Sequence, residues 1–178
     1  MADSANTKWA LAQALKSLME RKSFTKISVV DICQACGMNR KSFYYHFRDK
    51  YDLMNWIFDT EFCEISRTKT YETEEQFFLD LCCYFYENRD FYRKALVISG
   101  QNCLTDHFRQ AMADVLQLVM HQVMPEVDFS SFQLGFYTDS IVCAYYRWIT
   151  GRTCMPPEQF IGELKQCVHY MAELYRKK

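Results

Sequence analysis

Glycine and proline are scarce, with five and three in 178 residues. That leaves little room for a phosphate-cradling glycine loop, a turn-rich β architecture or a low-complexity disordered chain. No stretch approaches the roughly 18 consecutive apolar residues of a membrane span. The opening Met1-Ala-Asp-Ser lacks the basic and apolar regions of a secretory signal. Together these absences predict no membrane partner and a cytoplasmic location. There is no nucleophile elbow and no recognisable pair of catalytic carboxylates, so no enzymatic activity and no catalytic residue is expected.

Metal-ligand spacing is also missing. His46, His107, His121 and His169 are scattered, and Cys33-x-x-Cys36 has neither a second cysteine pair nor a histidine pair to complete a zinc site. No metal and no cofactor are expected. The nine cysteines, an odd number at irregular spacing, read as reduced thiols packing as small hydrophobes.

What the chain has is apolar and aromatic mass, 49% and 16% of residues, enough for a core without disulfides. Its net charge of −1 conceals an asymmetry. Residues 1–50 carry nine Lys/Arg against four Asp/Glu, a net of +5, which leaves −6 for the remainder. A basic head on an acidic body suits a polyanionic partner at one end.

Periodicity predicts an all-α protein of about nine helices. Leu11, Ala14, Leu15, Leu18 and Met19 share one face of a first helix, with Lys16, Glu20 and Arg21 on its wet side. Ser28 is placed to cap a second helix of two turns, with Asp31 favouring its positive end, and Gly37 stops it. Asn39 caps a third helix over 40–47, whose Phe43 and Phe47 point to the core together. Asp49 caps a fourth. Further helices are expected at about 73–88, 90–98, 103–124, 129–150 and 157–176.

Two short helices around a glycine turn, braced by a preceding helix, form the helix-turn-helix arrangement, in which the second enters the major groove. With Phe43 and Phe47 anchored, Arg40, Lys41, Ser42, Tyr44, Tyr45 and His46 spread over the outer surface, suited to bases and phosphates. One of the two tyrosines is expected to be half-buried with a wet hydroxyl.

The stretch from Ile27 to Lys50, and above all Tyr44-Tyr45-His46-Phe47 followed by Lys50, strongly resembles the DNA-binding signature of the TetR/AcrR transcriptional regulators. The resemblance covers about residues 7–60. It implies that Arg40, Lys41, Ser42 and Tyr45 face base edges and phosphates, that Tyr44, His46 and Lys50 position the DNA backbone, and that Ser28 caps a helix pointing at phosphate. The chain departs from the family where Ser23 replaces a common glycine, Cys33 and Cys36 replace alanines, and Lys41 stands at a usually small position.

Residues 5–65 are assigned to a three-helix, helix-turn-helix DNA-binding domain, and 66–178 to a helical-bundle regulatory and dimerisation domain. In the latter, Phe132, Phe136, Tyr137, Ile141, Tyr145, Tyr146 and Trp148 cover so much of one helix that burial on most sides is expected. Asp139 and Arg147 interrupt that segment and read as an internal ion-pair network or, alternatively, as ligand contacts. Phe85, Phe108, Met112, Tyr137, Tyr145 and Arg147 mark an effector pocket, or else fill the core. Phe160, Leu164, Cys167, Val168, Met171, Leu174 and Tyr175 form a seam on the last helix. The resemblance implies that this seam pairs with its twin in a homodimer, a purely intrachain core being the alternative. The expected partners are a palindromic double-stranded DNA operator, a second copy, and an unknown small-molecule or protein effector. Repression is the commoner outcome in the resembling family, and a partner-controlled activator or a helical protein-interaction module is the competing reading.

Overall fold

The computed structural model describes residues 2–68, 73–100 and 102–176, with side chains 2–3, 63, 66–68, 74 and 171–176 outside that description. Among the described residues the chain is all-helical: α1 (Ala2–Arg21), a 3-10 turn (Phe24–Lys26), α2 (Val29–Ala35), α3 (Arg40–His46), α4 (Lys50–Thr68), α5 (Glu74–Glu87), α6 (Arg89–Leu96), α7 (Leu104–Val123), α8 (Ser131–Thr150) and α9 (Pro157–Arg176). No described helix is long and apolar enough to cross a membrane.

The N-terminal third is built around α1, whose Leu11, Ala14, Leu15 and Met19 are buried against Ile32, Phe43, Phe47, Leu53 and Ile57. Each such side chain larger than Ala14 contributes about 1.5–3 kcal/mol by leaving water, so the three short segments are held by packing rather than by their own propensity. Lys16, expected on the wet side of α1, is instead half-buried and paired with Glu61 of α4. It sits at the border of the apolar stripe, where α4 passes.

In the body, α7 and α8 lie against each other, α9 returns along α5, and α6 bridges α1 and α8. The centre is an aromatic cluster in edge-to-face contact: Phe85 with Phe108 at 5.3 Å, and Tyr145 with each of them at 5.8 Å. Trp148 stacks on Phe160 at 4.3 Å, with its indole N–H donating to the Met155 carbonyl. The expectation that α8 is buried on most sides is corrected. Tyr145 and Trp148 are buried, but Phe132 is 80% exposed, and Phe136 and Tyr137 also face outward.

Candidate nucleic-acid interface

Local hydrogen bonding shapes the segment from Ser28 to Phe47. The Ser28 hydroxyl accepts from the Asp31 backbone N–H at 3.1 Å, and the Asp31 carboxylate accepts from the Ser28 backbone at 2.8 Å, a reciprocal capping box. Hydrogen bonds from Ser28, with Lys22 nearby, hold the Asp31 carboxyl down at about 2. Gly37 turns the chain at φ 70°, a conformation costly for a residue with a side chain. Asn39 then starts α3, its side-chain oxygen accepting from the Ser42 backbone at 2.8 Å.

With Phe43 and Phe47 buried at 0% and 3% exposure, the other faces of α3 are fixed outward. Tyr45 is 82% exposed and Tyr44 49% exposed. Arg40 and Lys41 are exposed, and the Arg40 guanidinium lies 5.7 Å from the Tyr44 ring. His46 is half-buried, its ring edge-on to Tyr45 at 4.9 Å. The result is a convex surface of two cations, two phenols and an imidazole, projecting from a helix that its own core cannot release. Ser42 is half-buried, with its hydroxyl donating to Asn39. Ser28 performs its cap, but the ionised Asp31 already occupies the positive end of that helix.

Lys50 departs from the position that the resemblance implies. Its ammonium turns inward and donates to the carbonyls of Phe24 at 2.7 Å, Thr25 at 3.3 Å and Ile27 at 2.7 Å. An ammonium has three N–H donors, matched here by three carbonyl acceptors.

Of the residues expected to line an effector pocket, Tyr145 borders a groove. Phe85, Phe108, Met112 and Tyr145 are each at most 1% exposed and fill the core, while Tyr137 and Arg147 face solvent. An open, largely apolar groove of about 380 Å³ lies between α5, α7, α8 and α9, lined by Tyr145 together with Phe78, Leu116, Ile141, Ile161, Leu164 and Val168, and by Glu75, Lys165 and His169. The expected internal ion-pair network at Asp139 and Arg147 is also corrected: Asp139 pairs at the surface with Arg109 of α7, and Arg147 is exposed.

The α9 seam divides. Phe160 is buried under Trp148 in its own chain and so is not a surface residue, and Leu164 is half-buried in the groove. Cys167 and Val168 are exposed, Val168 at 72%. The side chains of Met171, Leu174 and Tyr175 lie outside the described residues.

One cluster joining the head to the body was not anticipated. Glu61 of α4 accepts from Lys16 of α1, from the Tyr84 hydroxyl of α5 and, at 2.8 Å, from the Tyr92 hydroxyl of α6. The two phenols also bond each other at 2.8 Å. Burial, then the Glu61 charge, pushes the Tyr84 phenol well above its usual range. Beside it, Lys94 of α6 donates to the Met19 and Glu20 carbonyls at the end of α1, at 2.8 and 3.1 Å. Sequence offers a partial signal: paired tyrosines and a lysine bordering apolar stripes mark junctions, but which residues meet is set by tertiary packing.

Burial raises the pKa of Cys33 and Cys154, and pushes Cys82 up to about 12, the opposite of the lowered value that a reactive thiolate needs.

Known proteins match this arrangement in both halves. A family model described as bacterial regulatory proteins, tetR family, matches residues 11–56. A second, described as transcriptional regulator C-terminal region, matches residues 72–170, more than half of the chain. The transcriptional activator DhaS of the dhaKLM operon in Lactococcus lactis subsp. lactis is 36% identical over 99 residues, which are 55% of this chain and 53% of that protein. In that match the chain spans about half the length of the curated relative. Two solved structures share the fold. One, titled dihydroxyacetone kinase operon activator DhaS, has a TM-score of 0.69 at 23% identity and covers 94% of this chain and 97% of its own. A TetR transcriptional regulator from Streptococcus agalactiae has a TM-score of 0.71 at 21% identity, with 91% and 93% covered.

Proposed function

The chain belongs to the TetR/AcrR family of DNA-binding transcriptional regulators, and from that premise we propose that it reads a palindromic operator as a homodimer through the outer surface of α3. The observation that carries this reading is the division of α3: Phe43 and Phe47 are sealed in the core while Arg40, Lys41, Tyr44 and Tyr45 stand in solvent. Arg40 and Lys41 supply charge to phosphates and donors to base edges, and Tyr45 supplies a hydroxyl and an apolar ring. Asn39 and Ser42 hold the start of the helix, and Tyr44 and His46 flank it. The domain roles follow the expected division, 5–65 reading DNA and 66–178 sensing and dimerising.

Two copies pair through α8 and α9. Support comes from the apolar side chains that one chain leaves in water there: Phe132, Phe136, Val168 and Tyr170 are 54–80% exposed. Exposed apolar area on that scale marks an interaction surface. The groove between α5, α7, α8 and α9 opens beside Val168, so a small molecule or protein bound there biases the packing of the pair and with it the separation of the two heads. Heads whose spacing no longer fits the groove repeat cannot dock together.

The direction of the response has two readings. Repression is the commoner outcome in the family. Activation is supported by the 36% identical relative, itself described as an operon activator. The experiment that tests the reading is selection of bound fragments from the source genome by the purified protein, followed by a reporter fused to the recovered sites. Enrichment of a two-fold symmetric sequence is the expected result, the reporter giving the direction. Recovery of no sequence above background would reject operator reading.

A further inference from the structure

We propose that Lys50 is a positioning residue of the reading head rather than a phosphate ligand: it staples the entry of the helix-turn-helix to its exit. This rests on the DNA-binding reading above. Lys50 is the first residue of α4, three positions after α3 closes at Phe47. The carbonyls that it holds belong to Phe24, Thr25 and Ile27, in the 3-10 turn and just before the Ser28 cap of α2. One ammonium thus joins the residues immediately before α2 to those immediately after α3.

The geometry suits a cation. Carbonyls at the end of a 3-10 turn attract positive charge, and the Phe24 carbonyl, which also accepts from the Ile27 backbone N–H at 3.1 Å, has a second lone pair for the ammonium. The Phe24 ring lies 4.5 Å from the same ammonium, adding a cation–π contact, and Tyr51 packs edge-to-face with Phe24 at 5.0 Å. Phe24 itself is 3% exposed. Successive residues of α4 therefore grip one buried ring and one ring of carbonyls. Partial burial lowers the Lys50 pKa, consistent with an ammonium partly withdrawn from solvent. Because α4 continues to Glu61 and the junction with the body, the staple makes α2 and α3 move with α4 as one piece.

The test compares Lys50→Met and Lys50→Arg with the wild-type protein, using a duplex recovered by selection from random sequence. Affinity is measured across a salt series, at a temperature where circular dichroism shows each protein fully folded. A positioning role gives a folded Lys50→Met that binds about tenfold more weakly, the scale of one lost base contact. Its salt slope stays that of the wild type, and Lys50→Arg, which can still donate to carbonyls, recovers most of the affinity. A phosphate ligand instead lowers the slope by about 0.9, and a residue that merely aids folding leaves the folded variant binding normally. Either result overturns the proposal.

Should Lys50→Met not fold, the ¹⁵N resonance of the wild-type Lys50 ammonium decides. It is expected to be slow to exchange and unmoved on adding duplex, and a shift on titration overturns the staple. If the wild-type protein binds no duplex at all, the DNA-binding reading fails, while slow or fast exchange of that ammonium still judges the staple.

Discussion

In the head, α3 sends its phenylalanines inward and its tyrosines outward; in the body, α8 buries Tyr145 and Trp148 and leaves Phe132 and Phe136 in water. α3 keeps its phenylalanines inside and offers a polar, cationic surface, the pattern of an element suited to a hydrated polyanion. The body keeps apolar side chains on display, the pattern of an element completed by something apolar. In the proposed reading one chain thus carries two kinds of recognition surface, and the Glu61 cluster with Lys94 ties head to body. The difference teaches that aromatic content alone does not locate a core: its partition between faces tells which partner each face awaits.

The comparison breaks most severely at the anchor of the head. Phe43→Ala empties a fully buried site and is expected to cost about 3–5 kcal/mol, read by chemical denaturation, with loss of DNA binding. Next comes the display face of the body. Val168→Glu places a charge on the proposed dimer face and is expected to give monomers by sedimentation. A palindromic duplex then binds about a hundredfold more weakly, since one head must bind alone. Unfolding of the monomer should shift by no more than about 0.5 kcal/mol, because Val168 is 72% exposed within its own chain.

The junction is expected to be intermediate. Glu61→Leu leaves Lys16 and two phenols without their shared acceptor and should cost about 2–3 kcal/mol in thermal or denaturant unfolding.

Smaller still is the cap of α2. Ser28→Ala removes the acceptor for the Asp31 backbone N–H and should cost about 1 kcal/mol at neutral pH. It also sharpens the pH response. Asp31 is held at about 2 against an ordinary 3.8 by its bonds from Ser28 and Lys22. Its contribution is therefore fully present above about 4 and is lost as pH falls toward 2. Unfolding followed between those limits should show this loss in the wild-type protein and a shallower one in Ser28→Ala.

Much of the head was legible in the sequence because each of its signals is local. Ser28, Gly37 and Asn39 punctuate within a few residues of the helices that they start or stop, and the four-residue spacing of Phe43 and Phe47 decides the orientation of α3 by itself. The destination of Lys50 was not legible, since its acceptors lie 23–26 residues away in a 3-10 turn that no periodicity announces. In the body the helix ranges were legible, but not the neighbours of each face. Phe160 belongs to the same periodic seam as Val168, yet Trp148 covers one and solvent the other. Asp139 found Arg109 on α7, a pairing set by how α7 and α8 cross. The aromatic run of α8 looked like a helix enclosed by its own chain because sequence counts apolar residues without distinguishing a chain's own core from a surface that a second chain would cover.

The central claim, that α3 is the reading surface, is tested most directly by the salt dependence of duplex binding for Arg40→Ala and Lys41→Ala. Both residues are exposed, so folding should be unchanged while affinity falls. The account predicts a log–log slope shallower by about 0.9 for each phosphate contact removed, and, for a cation that contacts a base instead, a loss confined to particular duplex sequences. Wild-type affinity and wild-type slope in both variants would contradict it.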